Sequence, residues 1–476
     1  MKRSPSRPSA QGERKTQRDR SHGDGFLRPR AVASSGGPAC HDIRAALQRI
    51  VRAPPFDGRV GIGRIRTIGS GRPRAMVCVP AHRERDHVAA MIEAWARAAA
   101  SMTPSCGLIV LVNNSTDGTF EAASRAASAA AGRFAGDPMI ALIEVSFAAA
   151  CADVGHARRL ALDLGGAIGG VEWLLSSDAD TLVARDWIER AHAALADCDL
   201  VCGHTDVDPS ELAALPPSVA ACGRAEAELG ASLEALWRAV GGPSGRGFAN
   251  RGAGANMAMR AAAYRQLGGL PPLRSGEDRA LHALFERRGR IIRHDATMRV
   301  RTSCRLDERA QGGMAGCLVR RASDRDPPVD SELMPARTLL RRALLHRLLF
   351  TRTGDAADLA AHTRRLADRI GAPVGALRLA RTAPHEGWER LGKTLPLLYR
   401  RELRASQARR EAGMAAWMRE RIAGGTDPLD LLEAAGPRPM AGGRAAGPIA
   451  SAARAALPGA PSSGLAANGA GTGLHG

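Results

Sequence analysis

Lysine is nearly absent from this 476-residue chain. It occurs only at positions 2, 15 and 393, so arginine supplies almost all of the 67 cationic side chains. Aromatic residues are also scarce, at 3% of the chain with two Tyr and eight Phe. The basic flanks therefore lack the interleaved rings on which single-stranded nucleic acid stacks, and no nucleic-acid partner is expected. No run approaches the ~18 apolar residues of a membrane-spanning helix, and no apolar segment follows the basic N-terminus as a secretory signal requires. The nine cysteines are irregularly spaced, odd in number and form no CxxC, which fits reduced thiols in a cytosol. Cys198, Cys202 and His204 lack a second ligand pair at zinc-finger spacing and read as buried or incidental.

What is present is enough apolar material, 45% of the residues, for a large core and more than one domain. The formal charge of +19 is unevenly spread. Residues 1–37 carry nine Lys/Arg against three acids, and residues 318–424 carry 22 against 12. The stretch 38–317 between them is left near neutrality at +3. Basicity thus speaks to where the protein is held and says little about its chemistry.

Composition divides the chain into five parts. Residues 1–40 read as a disordered basic leader and 434–476 as a disordered Ala/Gly/Pro tail, both too polar or too small-residued to build a core. Residues 41–73 hold a lead-in helix, from the helical spacing of Ile43, Ala46, Leu47, Ile50 and Val51, and then a linker. From residue 74 to 317 short apolar runs (AMVCV, LIVLV, MIALIEV, EWLLS, DLVCG) alternate with amphipathic stretches near 87–100, 120–131, 155–164 and 186–196. That alternation predicts an α/β fold with a mostly parallel sheet and helices on both faces. Residues 318–433 lose the strand pattern and read as a basic α-helical appendage, packed through its leucines or laid on an anionic membrane surface.

In such sheets ligands bind beyond the carboxyl ends of the strands, so the polar residues after each apolar run are the candidates. Four clusters stand there. They are Val79-Pro80-Ala81-His82-Arg83-Glu84, Val112-Asn113-Asn114-Ser115-Thr116-Asp117-Gly118-Thr119, Asp178-Ala179-Asp180, and Gly276-Glu277-Asp278. The i, i+2 carboxylates of the third present hard oxygens suited to Mg²⁺ or Mn²⁺. The fourth opens a predicted helix whose N-terminal dipole favours ionised carboxylates. A glycine-rich stretch, Asn250 to Asn256, would let backbone pass close to a ligand, with Arg251 and Asn256 as candidate contacts. Trp173, Trp187 and Trp237 sit in apolar patterns and read as core.

Taken in order, these motifs resemble glycosyltransferase family 2, the nucleotide-sugar-dependent enzymes of GT-A, Rossmann-like fold. The resemblance spans about residues 74–316: VPAHRERDHV, LVNNSTDGT, SSDAD, and GANMAMRAAAYRQLGGLPPLRSGEDRAL. It implies that Pro80, Ala81, Glu84, Asn113 and Asp117 line the base and ribose pocket and that Arg158 approaches the nucleotide. It implies a metal held by Asp180 with Asp178, a general base in Asp278, and Glu277 orienting the acceptor. Asn256 would contact the donor sugar or its phosphate. The chain departs from the family's pattern at Arg83 and Asn113, and where many members carry a metal-ligating histidine it reads MRVRTSCR, with His294 the nearest histidine.

The chemistry asks for the same parts. A departing nucleoside diphosphate develops charge that a cation stabilises, and an incoming hydroxyl needs a carboxylate to take its proton. A direct displacement would invert the anomeric configuration. The expected protein is thus a cytoplasmic, metal-dependent glycosyltransferase, its basic helices either packed on the main domain or held at the inner membrane face. A haloacid dehalogenase-type phosphatase using LLSSDADTL would also want a basic residue, often lysine, and a later acidic metal pair; no lysine lies between 15 and 393, and the motif sits mid-chain instead of opening the domain. A basic non-catalytic scaffold would use only the flanks. Neither GVGIGRIRTIG nor RGAGANM supplies a dinucleotide-binding GxGxxG.

Overall fold

A computed structural model describes residues 38–100, 102, 105–134, 138–242, 253–307, 313–351 and 356–434. Residues 1–37 of the leader, residues 435–476 of the tail, and Asn250 to Gly252 of the glycine-rich stretch lie outside the described residues.

The α/β half begins with α1 (Pro38–Arg52), β1 (Val60–Ile68), β2 (Ala75–Ala81), α2 (Val88–Ala99) and β3 (Cys106–Asn113). It continues through α3 (Thr119–Ala131), β4 (Ile140–Phe147), α4 (Val154–Ala167), β5 (Trp173–Ser176), β6 (Thr181–Val183), α5 (Trp187–Ala194) and β7 (Leu200–Val207). After α6 (Pro209–Ala213) and the long α7 (Pro217–Ala239) come β8 (Met257–Arg260), α8 (Ala261–Gln266), α9 (Glu277–Arg287) and β9 (Ile292–Thr302). The rest is helical: α10 (Met314–Ser323), α11 (Ala336–Phe350), α12 (Ala356–Ile370), α13 (Val374–Thr382), α14 (Pro384–Thr394) and α15 (Ala405–Ala423).

The strands form one sheet in the order β1-β4-β3-β2-β5-β8-β7-β9-β6. Its centre, β4-β3-β2-β5, is parallel, as the strand–helix alternation predicts. The flanks are mixed: β1, β6 and β8 run antiparallel to their neighbours, while β7 and β9 pair in parallel. The two-residue period of a strand explains why β2 is apolar on both faces. Met76 and Cys78 pack with Ile43 and Leu47 of α1 and Leu160 and Leu164 of α4. Val77 and Val79 point the other way, into Ile92 and Trp95 of α2, Phe120 of α3 and Trp187 of α5.

The helical half has its own core. Leu339, Leu340, Leu344, Leu345 and Leu348 of α11 are all buried against α12, α14 and α15, so the leucines of this basic helix face protein. Leu229, Leu233, Leu236 and Trp237 of α7 belong to the same cluster, so the boundary expected at 317/318 is crossed by a helix from the earlier segment. The described residues cohere as one compact unit. Among the described residues no helix is long and apolar enough to cross a membrane.

Candidate functional site

The parallel strands β2, β3 and β5 all point their carboxyl ends to one side, and three of the four polar clusters follow directly from those ends. After β2 the chain turns at Arg83, which adopts φ 57°, a left-handed conformation costly for a side chain of this size. The turn is held from the next loop. Ser115 Oγ accepts from the Arg83 N–H at 3.0 Å, and Thr119 Oγ1 accepts from the Glu84 N–H at 2.9 Å. Asp117 anchors that loop by accepting from the Thr119 hydroxyl at 2.6 Å and from the Arg85 N–H at 3.2 Å. Burial opposes its ionisation, but these hydrogen bonds hold its carboxyl below the usual range. The Asn113 carbonyl bonds His82 Nδ1 at 2.8 Å and accepts from the Ser115 hydroxyl at 3.1 Å. Asp117 and Asn113 thus splice the first two clusters into one surface, beside Pro80 and Ala81 at the buried end of β2.

Asp178 and Asp180 occupy the turn between β5 and β6. Asp178 is about a third exposed at its side chain and accepts from Arg158 Nη2 at 2.8 Å. Arg158 rises from α4, buried to 3% exposure, and uses its whole fork. It also donates from Nε to Glu277 at 3.0 Å and from Nη1 to Ser176 Oγ at 2.8 Å and to the Gly254 carbonyl at 2.9 Å. Glycine at 254 leaves room for this fork: a Cβ there would stand 2.6 Å from the Arg158 guanidinium carbon and push it aside. A second close approach is at Gly155, where a Cβ would overlap the Leu273 carbonyl oxygen at 1.8 Å. The backbone N–H of Gly254 donates to Asp278 at 2.9 Å, and the Arg279 N–H donates to its other oxygen at 2.7 Å. Arg158 and Gly254 together therefore join Asp178, Glu277 and Asp278, three carboxylates from distant parts of the chain.

On the other side of the cleft stands Arg305, which the sequence reading did not single out. Its Nη2 donates to both Glu84 oxygens at 2.8 and 2.9 Å and to Asp180 Oδ2 at 3.0 Å. Its position is set from behind. Glu211 of α6 accepts from the Ser303 hydroxyl at 2.7 Å and from the Cys304 N–H at 2.6 Å, pinning the segment that leaves β9. Burial and the neighbouring Asp180 push the Glu84 carboxyl up to about 8 against the pull of Arg305. Burial and Asp178 push Asp180 up to about 6 against the same pull. Burial also raises Glu277 and Asp278, with Arg158 opposing in both cases. Carboxyls raised in this way and gathered in one place make this cleft the functional-site candidate.

Two candidates are placed elsewhere. Asn256 is fully buried and its carboxamide is spent inside the protein, accepting from Trp187 Nε1 at 2.8 Å and donating to the carbonyls of His204 at 2.8 Å and Met298 at 2.9 Å. Its task in this structure is to tie α5, β7 and β9 together, not to present a contact in the cleft. His294 sits near the start of β9 with Nε2 3.3 Å from His282 Nε2. The strand reaches Asp180 only at Thr302, and from the residue opposite His294 to the one opposite Thr302 the neighbouring β7 advances five residues, roughly 17 Å at the rise of a β-strand.

Asp178 and Asp180 offer the hard oxygens a Mg²⁺ or Mn²⁺ ion takes, so the donor chemistry fits a divalent cation. Among the described residues no group of three His, Cys, Asp or Glu side chains is arranged to hold a metal. An ion on Asp180 Oδ2 would need Arg305 to yield that oxygen.

No family model matches the chain, and no curated protein matches it. Among solved structures, residues 1–349 of TarS from S. aureus in complex with UDP-GlcNAc are 13% identical, cover 67% of this chain and 91% of that one, and give a TM-score of 0.37. The mannosyltransferase PcManGT from Pyrobaculum calidifontis, in complex with GDP-Man and Mn²⁺, is 16% identical over 82% of this chain and 86% of that one, with a TM-score of 0.36. Glucosyl-3-phosphoglycerate synthase from Mycobacterium tuberculosis, in complex with Mn²⁺, UDP and phosphoglyceric acid, is 18% identical over 53% and 77%, with a TM-score of 0.32. Likenesses this distant assign no substrate to this chain.

Proposed function

We propose that this protein is a glycosyltransferase that moves a sugar from a nucleoside-diphosphate donor to a hydroxyl acceptor. The observation that carries the reading is the convergence of Glu84, Asp178, Asp180, Glu277 and Asp278 with two guanidiniums at the carboxyl ends of the parallel strands. The joined loops after β2 and β3, with Pro80, Ala81, Asn113 and Asp117, form the wall suited to a base and ribose. Asp178 and Asp180 would hold a Mg²⁺ or Mn²⁺ ion, which when bound supplies charge neutralisation to the departing diphosphate.

Asp278 is the candidate base. Two backbone N–H groups fix its carboxylate, and its raised affinity for protons suits it to take one from an acceptor hydroxyl. Glu277 is locked to Arg158 and orients the first turn of α9. Attack opposite the leaving group would invert the anomeric centre. The exposed Arg378 and Leu379 of α13 give the helical half a cationic and apolar edge for peripheral contact with an anionic bilayer.

A thermal-shift screen of sugar nucleotides, with and without Mn²⁺, tests the reading, because a ligand that binds the native state raises its melting temperature. One donor should stabilise the protein. Asp278→Asn should keep that binding and lose transfer, whereas Asp180→Asn should lose donor binding as well. Full turnover in either variant would remove the role given to that residue.

A further inference from the structure

We propose that Asp330, in the helical half, is a positioning residue for the reaction: it holds Arg279, and through it the turn of α9 that carries the candidate base Asp278. The inference rests on the glycosyltransferase reading and gives the helical half a part in the chemistry of the cleft.

Helix α9 starts without a side-chain cap. Gly276 precedes it at φ 73° and, having no side chain, offers no acceptor to the first N–H groups. Tertiary contacts fix this turn instead. On the α/β side, Glu277 accepts from Arg158 Nε at 3.0 Å and Asp278 accepts from the Gly254 N–H at 2.9 Å. On the other side, the Arg279 guanidinium donates from Nη1 to Ser331 Oγ and from Nη2 to Asp330 Oδ2, both at 2.8 Å. The Arg279 N–H meets Asp278 at 2.7 Å, so the residue that reaches the helical half is also one of the two backbone donors to the base.

Asp330 is itself anchored. Its N–H donates at 2.7 Å to Glu226 of α7, and the same carboxylate oxygen takes Arg321 of α10 at 2.6 Å. Its Oδ1 accepts from the Glu332 N–H at 2.8 Å, which leaves Oδ2 to Arg279. The adjoining Val329 N–H donates to the Leu403 carbonyl at 2.9 Å, and Val329 and Leu333 lie in the helical core. An arginine fork that meets a carboxylate and a hydroxyl together fixes direction as well as distance. The pair is partly exposed, at 42% and 28%, so it contributes placement more than stability. Placement matters at a base, where a shift of about 1 Å costs up to about a hundredfold in rate.

Two measurements on the full chain test this, using wild type, Asp330→Ala, Asp330→Glu, Arg279→Met and the double variant Asp330→Ala with Arg279→Met. Arg365→Met, which breaks an exposed pair with Asp427 and Asp430 inside the helical half, is the control, and circular dichroism confirms the fold of each. The first measurement is hydrogen exchange by mass spectrometry at the amides of Arg279 to Leu281. Asp330→Ala and Arg279→Met should each speed it roughly two- to fivefold, and Arg365→Met should leave it unchanged. The second is turnover, read as nucleoside diphosphate released from UDP-glucose, UDP-N-acetylglucosamine or GDP-mannose in Mn²⁺ with water as the acceptor. Asp330→Ala should lower kcat roughly three- to tenfold with the donor's KM unchanged, and the double variant should lose no more than Arg279→Met does. Asp330→Glu, which restores a carboxylate, should recover part of the loss. Exchange in Asp330→Ala equal to wild type overturns the proposal, as does an undiminished kcat or a double variant whose losses multiply. Should none of the three donors bind, the glycosyltransferase reading falls; there, or if a bound donor does not react with water, the exchange comparison alone decides whether Asp330 holds the turn.

Discussion

Replacing Arg158 with Met keeps the length of the stem and removes the guanidinium that joins Asp178, Glu277, Ser176 and Gly254. Glu277 is left almost without solvent, at 6% side-chain exposure, facing an apolar thioether. Breaking a buried ion pair from one side costs about 3–5 kcal/mol, because the remaining charge keeps its desolvation penalty. Asp178, a third exposed, recovers hydration and adds little. For a chain of this size such a loss lowers the melting temperature by roughly 3–6 °C.

The pH dependence has a defined sign. Arg158 holds the Glu277 carboxyl down against burial, so its removal raises that carboxyl further in the folded state. The folded variant then binds a proton more tightly than the unfolded chain, and its deficit relative to wild type shrinks as pH falls through the raised value. Denaturant unfolding at pH 8 and pH 5.5 measures this directly. The double variant Arg158→Met with Glu277→Gln should recover most of the loss at pH 8. A deficit below about 1 kcal/mol, or one equal at both pH values, would refute the assignment of Arg158 as the charge that sustains this cluster.

Three further outcomes are expected. The acid limb of kcat/KM should lie above the ordinary carboxylate range, since Asp278 must be ionised to act and burial raises it; activity that stays flat down to pH 4.5 would exclude it as the base. Asn256→Leu should destabilise by roughly 3 kcal/mol or more in urea titration, because the Trp187 N–H and the carbonyls of His204 and Met298 lose their partner together. Leu344→Ala, at 1% exposure in the helical core, should cost about 2–5 kcal/mol, and near-UV circular dichroism should report it at Trp237 of α7, which packs in the same cluster.

The parallel centre of the sheet was legible because β2, β3 and β4 are nearly continuous apolar runs, and a strand covered on both faces has no other composition. Four strands are not spelled in this way: β1 and β9 are interrupted by glycine or arginine, and β6 and β8 are only three and four residues long. β9 reads IRHDATMRVRT, with arginines on the exposed side of an edge region. Had the alternation of Met298, Val300 and Thr302 been taken as a strand, the next polar residues would have led to Arg305. Asn256 shows the opposite case: a polar residue beside glycines suggests a ligand contact, and only the surrounding elements reveal that Trp187 and two carbonyls already use it.

The sequence by itself determined which polar clusters stand at the strand ends, because strand ends in a parallel sheet are spelled locally, by an apolar run followed by Glu84, Asn113 to Asp117, or Asp178 and Asp180. It also located the acidic start of α9, since a helix N-terminus and its carboxylates are neighbours in the chain. Tertiary structure alone decided which charges meet. Arg305 reaches Glu84 across 221 residues and Arg158 reaches Glu277 across 119, and no periodicity or motif encodes contacts between segments so far apart. It likewise decided that α7 joins the helical core, because an apolar helix face records that it is buried and not against what.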